Sequence, residues 1–369
     1  MKYKLKLLDY PILFILLCFL VISTAVIYSA TSGTSFQGLH MNNAITFSVL
    51  FVVMILLSLL DYRVIVNHFS VILYIIGVLL MILVVFKGIS INGSKRWINL
   101  GMAFQPSEIM KIFVILLLAK MMKRREGQKL RLLQDLIPMF IIVLVPFLFV
   151  LEQPDLGTSI VFICIFLGML WIGNVRLLHA LSGLVLLVVL IGTLTAMYLT
   201  NSPLFSKIIK PHQLKRIQTF INPTADPDSN WHVLNSIKAI ASGSLDGEGF
   251  KHGNLVQGGF IPYDYADSIF VVIGEEFGFI GASVLLLLYF VLIYRLIRIA
   301  IDCPDIEGTY VIIGIISMFT LQIFENIAMH IGLMPLTGIA LPFVSYGGDS
   351  LLTNMISMSL VLSVKMHRI

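Results

Sequence analysis

The chain is a succession of long apolar blocks separated by short polar ones, and this constrains its fold more than any other feature. A bilayer core takes about 20 apolar residues per helix. Ten segments meet or approach that length: 11–30, 44–60, 69–86, 107–122, 136–151, 156–173, 177–199, 268–300, 309–330 and 351–366. Of the 369 residues, 58% are apolar and 12% are charged, whereas a soluble domain carries about 25% charged residues. The expected fold is all-α: a polytopic membrane protein of about ten transmembrane helices, packed as one body over 1–369. The first block lacks a small-residue cleavage site and is followed by further spans, so it reads as an uncleaved first helix. The eighth is too long for a simple span, which suggests a tilt or a break near Gly278 and Gly281. The fourth is short and carries charges.

The basic residues orient the helices. Lys2, Lys4 and Lys6 precede the first block, and Lys120, Lys123, Arg124, Arg125, Lys129 and Arg131 follow the fourth. Arg63, Arg176, Arg295, Arg298, Lys365 and Arg368 fall on the same side, while the opposite loops 31–43, 152–155 and 331–350 contain no Lys or Arg. This positive-inside pattern predicts cytoplasmic termini. Two external segments depart from it: 87–106, with Lys87, Lys95 and Arg96, and 200–266, with six basic residues. Long loops are largely exempt from the charge rule. The segment 200–266 is read as an ordered external cap between the seventh and eighth helices, amphipathic around 230–241, because a loop that long without structure of its own is unusual.

The net charge of +5 says little about nucleic acid in such a chain, and no nucleic-acid motif is present. Cys18, Cys164 and Cys303 show no CxxC or Cys/His spacing, so no metal or disulfide framework is expected. The eight histidines are scattered.

Four constellations carry candidate chemistry. In the first, Arg96-Trp97-Ile98-Asn99 precedes Gln105-Pro106-Ser107-Glu108-Ile109-Met110-Lys111. Ser107 is a candidate cap for the fourth helix. Glu108 and Lys111 share a helical face, either as a structural ion pair or as the wall of a cavity for an anionic head group; charges at this depth must be paired or face water. The second is the tight turn 152–158, where Asp155 is either a cap of the next helix or a site residue. The third joins the glycine-rich run 243–249 to Asp264, Asp267, Glu275 and Glu276. Its glycines fit no phosphate-loop fingerprint. Asp267 is most simply a helix N-cap and alternatively a general base at the water–membrane boundary. The fourth combines Gln322–Asn326, including Glu325, with Pro335–Ser350, read as a shaped external loop. Its Gly347-Gly348 pair suits either anion contact or a plain turn.

Together and in this order, RWIN with FQPSEIMK, QPDLGTS, the glycine-rich run before the acidic aromatic stretch, and LPFVSYGG resemble the SEDS family of polytopic cell-wall polymerases (RodA, FtsW, SpoVE). The resemblance spans nearly the whole chain and is most like RodA. It implies a peptidoglycan glycosyltransferase polymerising lipid II on the outer face of the cell membrane during elongation and shape maintenance. It also implies a class B penicillin-binding protein as transpeptidase partner, with other elongation-machinery proteins and membrane lipid. By position the family's catalytic aspartate is Asp267. The matched motifs make Arg96, Trp97, Gln105, Glu108, Lys111, Asp155 and Ser345 the candidate substrate-binding set. A diphosphate leaving group needs cations, from Arg96, Lys111 and Lys95 or from a divalent ion such as Mg or Mn. Ala266 and Asp349 depart from the family pattern, which commonly has Thr and Ser there. A lipid II flippase is the alternative reading; it needs the charged cavity but no external base.

Overall fold

A computed structural model describes residues 8–91, 94–99, 101, 103–153, 155–200, 214 and 227–367. Lys2, Lys4, Lys6, Pro154, Arg368 and most of 201–226 lie outside the described residues. A helix stands at each of the ten predicted segments: α1 Tyr10–Ala30, α2 Leu39–Ser58, α3 Tyr62–Lys87, α4 Pro106–Lys123, α5 Leu132–Glu152, α6 Leu156–Ile172, α7 Leu177–Leu199, then α10 Ile269–Ile301, α11 Ile306–His330 and α12 Gly348–Met366. Among the described residues, six of them (α1, α2, α3, α5, α10, α11) are long and apolar enough to cross a membrane. Between α7 and α10 lie α8 Pro227–Ser242, over the amphipathic stretch, and the short α9 Asn254–Gln257.

The charges of α4 follow from its place. It is the inner helix, buried on nearly every side from Pro106 to Ala119, so Glu108 and Lys111 face protein rather than lipid. Its first turn corrects one expectation: Gln105 occupies the cap position, and Ser107 instead accepts a hydrogen bond from Gln105 Nε2 at 3.1 Å. The fold is mostly helical, as expected, with one addition the sequence did not announce: a small antiparallel sheet, β1 Ile89–Ile91, β2 Ser94–Asn99 and β3 Ala103–Phe104, in the order β1-β2-β3. It folds the connection between α3 and α4 and carries Arg96 on its middle strand.

The long eighth segment is broken at Gly278, with φ 60° and ψ −157°, while Gly281 stays helical. The break has a visible cause. A Cβ on Gly278 would lie 2.5 Å from Gly247 N and 2.7 Å from both Gly243 O and Leu245 O. Phe279 and Ile280 donate to Ser244 O and Leu245 O at 2.9 and 3.1 Å, and Glu248 and Gly249 donate to Glu275 O and Glu276 O at 2.9 and 3.0 Å. The glycine-rich run is therefore a backbone-to-backbone splice into α10, possible only where side chains are absent. Glu275 and Glu276 fasten the same loop. Glu275 accepts from Leu255 N and Val256 N at 2.7 and 2.9 Å, and Glu276 from Ser29 Oγ and Gln257 Nε2 at 2.6 and 3.1 Å.

The loop before α12 does not lie over the end of the bundle but enters it. Leu341, Phe343 and Val344 are buried, and Phe343 stacks on Phe19 and meets Phe319 edge-on, with centroids 5.8 and 5.4 Å away. Phe19 lies eleven residues before the end of α1, so the loop reaches about 16 Å into the bundle at 1.5 Å per residue. Non-helical backbone at that depth survives only when its polar groups are satisfied by protein. Here Ser23 Oγ donates to Val344 O at 2.7 Å, Tyr289 Oη to Pro342 O at 2.5 Å, and Leu341 N to Ser345 Oγ at 2.8 Å.

At the opposite end, ion pairs staple the helix ends. Asp9 joins Arg295 at 2.9 Å and Lys365 at 2.6 Å, Asp305 pairs with Arg63, and Glu307 pairs with Lys123 at 2.5 Å.

Candidate active site

The start of β2, α4 and α6 brings together most of the sequence-predicted binding residues. Asp155 caps α6, its Oδ1 accepting from Thr158 N at 3.1 Å and its Oδ2 from Thr158 Oγ1 at 3.0 Å. The same Oδ2 takes Arg96 Nη1 at 3.3 Å and Gln105 Nε2 at 3.3 Å. Asp155 thus serves as cap and ion-pair partner at once. Arg96 is also held from behind, its Nε donating to Gln153 O at 3.1 Å. One helical turn into α4, the buried Lys111 Nζ meets Glu108 Oε1 at 2.9 Å, while Glu108 Oε2 has no partner among the described residues. Asp349 accepts from Gln105 N at 3.0 Å, tying the start of α12 to the start of α4.

Asp267 sits in a turn between Pro262 and α10. Ser268, not Asp267, holds the cap position of α10, so the expected N-cap role is corrected. Tyr263 takes a left-handed conformation, φ 52°, and its carbonyl receives Ala266 N at 2.9 Å and Ser268 N at 3.2 Å. The Asp267 carboxylate faces Gly338, where a Cβ would stand 3.5 Å from Oδ2, and its Oδ1 is shielded from solvent with no hydrogen-bond partner. Burial lifts the carboxyl to about 6, although the N–H groups of Asp267 and Ser268 pull the other way. Burial also lifts the nearby Asp264 to about 7.

Two elements connect these groups. The loop 337–339 lies between them: Gly338 faces Asp267, while a Cβ on Gly157, two residues beyond Asp155, would meet Ile339 at 2.7 Å and Thr337 at 2.8 Å. The last turns of α11 reach both sides. Buried Glu325 is within electrostatic reach of Asp155 and Lys111, and the next residue, Asn326, donates to Asp267 O at 2.7 Å and to Ile339 O at 2.7 Å. Asp267 makes no ion pair among the described residues; Arg96 and Lys111 pair with Asp155 and Glu108 instead.

Trp97 is half-buried and paired with Ile89 across the sheet, and Ser345 is occupied in holding its own loop. Lys95 is turned aside, donating to Val85 O at 2.8 Å. Among the described residues no group of three or more His, Cys, Asp or Glu is gathered to hold a metal ion. Sequence reasoning missed His330 and His232, which adjoin the Asp267 turn. A signal for the first was present: Gln322, Asn326 and His330 recur every four residues on an apolar helix, marking one polar stripe.

A family profile described as cell cycle protein, for FtsW, RodA and SpoVE, matches residues 6–369. The chain is 35% identical to stage V sporulation protein E of Bacillus subtilis (strain 168), over 81% of this chain and 79% of that protein. It is 34% identical to peptidoglycan glycosyltransferase MrdB of Escherichia coli (strain K12), over 98% of this chain and 94% of that protein. Among solved structures it superposes with TM-score 0.81 and 28% identity on a chain of a peptidoglycan synthase complex that coordinates polymerization and crosslinking, covering 98% of both chains. It superposes on the Thermus thermophilus rod shape determining protein RodA with TM-score 0.70 and 25% identity, covering 98% of this chain and 97% of that one. These matches and the long apolar helices make it a multi-pass membrane protein. The chain belongs to the FtsW, RodA and SpoVE family.

Proposed function

We propose that this chain is a peptidoglycan glycosyltransferase that polymerises lipid II into glycan strands on the outer face of the cell membrane, in elongation and shape maintenance. The observation that carries the reading is Asp267. It is a carboxylate with a shielded, unpartnered oxygen, lifted to about 6, at the same end of the bundle as the Arg96–Asp155 and Lys111–Glu108 pairs. A base working near neutral pH needs this combination of ionisable carboxylate and unspent acceptor.

In this reading ten helices span the membrane and both termini are cytoplasmic. The cap over 200–266 belongs to the same body as the rest of 1–369. The stapled basic end faces the cytoplasm. The acceptor's sugar hydroxyl attacks the donor's anomeric carbon. Asp267 takes the hydroxyl proton, the new glycosidic C–O bond forms, and the bond to the diphosphate breaks, releasing undecaprenyl diphosphate. Attack from the opposite face inverts the anomeric centre. The leaving diphosphate needs positive charge more than a proton. Arg96 and Lys111 supply it, oriented beforehand by Asp155 and Glu108, with Gln105 bridging the two acids' helices. Trp97 and Ser345 contribute to the wall of the site. A class B penicillin-binding protein, with other elongation proteins, receives the strands for crosslinking.

The test uses purified full-length protein in detergent with fluorescent lipid II and a gel readout of chain length. The wild type makes long glycans and Asp267→Asn makes none while still binding lipid II. Substantial glycan from the folded variant excludes the base. Lipid II movement across vesicles without glycan product from the wild type favours the flippase instead.

A further inference from the structure

The Asp267 carbonyl is held by side chains rather than by its own helix. Val271 N closes a tight turn onto Ser268 O at 3.0 Å, so the Asp267 carbonyl receives no bond from α10. Its two lone pairs are taken by Asn326 Nδ2 at 2.7 Å and His330 Nε2 at 3.0 Å, both from the end of α11. The following residue is held from the other side. Ser268 Oγ donates to Pro262 O at 2.9 Å, and His232 Nε2, from α8, stands 3.0 Å from Ser268 Oγ.

The chemistry fixes the roles. A carbonyl cannot donate, so His330 Nε2 carries the hydrogen toward Asp267 O. Ser268 has spent its only hydrogen on Pro262 O, so it accepts from His232, whose Nε2 is therefore also protonated. Burial lowers His232 to about 4, so near neutral pH the ring is uncharged and its single hydrogen is committed to this bond. His330 Nδ1 is buried without a partner. A purely structural buried histidine normally satisfies both nitrogens; this one leaves one unpaired and spends the other on the Asp267 peptide.

We propose that His330 and His232 are positioning residues for the glycosyl transfer: paired Nε2–H donors, one from the core to the Asp267 carbonyl and one from the cap to the Ser268 hydroxyl, that hold the Asp267–Ser268 turn and so aim the carboxylate. This rests on the reading of Asp267 as the base. Reaction geometry tolerates little error, and a displacement of about 1 Å costs about 100-fold in rate. The cap helix α8 thereby takes part in the chemistry without touching the reacting atoms.

The experiment compares His330→Leu, His330→Gln, His232→Leu and His232→Gln in the purified full chain with fluorescent lipid II. A glutamine amide nitrogen reproduces an Nε2–H donor. Each Leu variant is expected to lose about 10- to 100-fold in kcat with KM for lipid II unchanged. Each Gln variant is expected to recover most of the loss. Backbone amide exchange over 263–271 is expected to quicken in the Leu variants and not in Asp267→Asn. A folded Leu variant with wild-type kcat, or a Gln variant as slow as its Leu counterpart, overturns the proposal. His232→Leu lies on the cap and keeps the test usable if His330→Leu fails to fold. Turnover by Asp267→Asn at the wild-type rate sinks the base reading separately, while amide exchange still reports whether the histidines hold the turn.

Discussion

At the residue scale, Asp267 and Asp155 are two buried carboxylates with opposite fates. Asp155 is surrounded by donors: a backbone N–H, a threonine hydroxyl, Gln105 and Arg96. Asp267 has an oxygen with none, and burial raises it to about 6. A general base works only when deprotonated, so kcat/KM is expected to fall about tenfold per pH unit below about 6 and to level off above it; a flat profile between pH 5 and 7 contradicts the assignment. Arg96→Ala strands Asp155 in a buried site and is expected to destabilise the protein by about 3–5 kcal/mol, read from thermal unfolding in detergent. The paired change Arg96→Met with Asp155→Asn removes both charges and is expected to regain most of that stability. Its KM for lipid II stays high, which separates the structural role of Arg96 from its role in binding the donor.

At the scale of elements, two irregular segments position the site, and their costs can be measured. Gly278 breaks α10 so that the glycine-rich loop can dock against its backbone. Gly278→Ala meets both a left-handed φ and backbone atoms at 2.5–2.7 Å, so a loss of about 1–3 kcal/mol or more is expected, again by thermal unfolding. The re-entrant loop depends on buried hydrogen bonds. Tyr289→Phe leaves Pro342 O unpaired and is expected to cost about 1–3 kcal/mol, whereas Tyr294→Phe, at a half-exposed position, changes little. Equal stability for both tyrosine variants would show that the loop does not need its anchor. Both irregularities left traces in the sequence: Gly278 interrupts an overlong apolar run, and Leu341-Pro342-Phe343 is too apolar for an exposed loop. The direction of the loop was not legible, because an apolar loop can cover a bundle or enter it, and only the aromatic pocket of Phe19, Tyr289 and Phe319 decides between them.

At the scale of the whole molecule, the two ends of the bundle differ in kind. One is stapled by pairs that join Asp9, Arg295 and Lys365; the other is folded from a sheet, a re-entrant loop and the α8 cap. The orientation proposed above predicts that a single cysteine at Leu245 reacts with a membrane-impermeant thiol reagent added to intact cells, while one at Gln128 does not, in a chain whose Cys18, Cys164 and Cys303 have been replaced. The reverse labelling pattern would invert the topology and remove Asp267 from the outer face.

Helix position follows local apolar length, which needs no knowledge of neighbours, so a helix at each apolar segment was legible in the sequence; among the described residues six of these helices are long and apolar enough to cross a membrane. The ion pair of Glu108 with Lys111 was legible too, because i,i+3 spacing is a property of a single helix. What the sequence could not specify is which element each polar group turns toward. The sheet that carries Arg96, the double use of Asp155, and the two histidines 98 residues apart in the chain that meet at one turn all arise from contacts between distant segments. Hydrophobicity acts along the chain and can be read there, whereas hydrogen bonds and charge pairing need geometry in three dimensions, which only the packed bundle supplies.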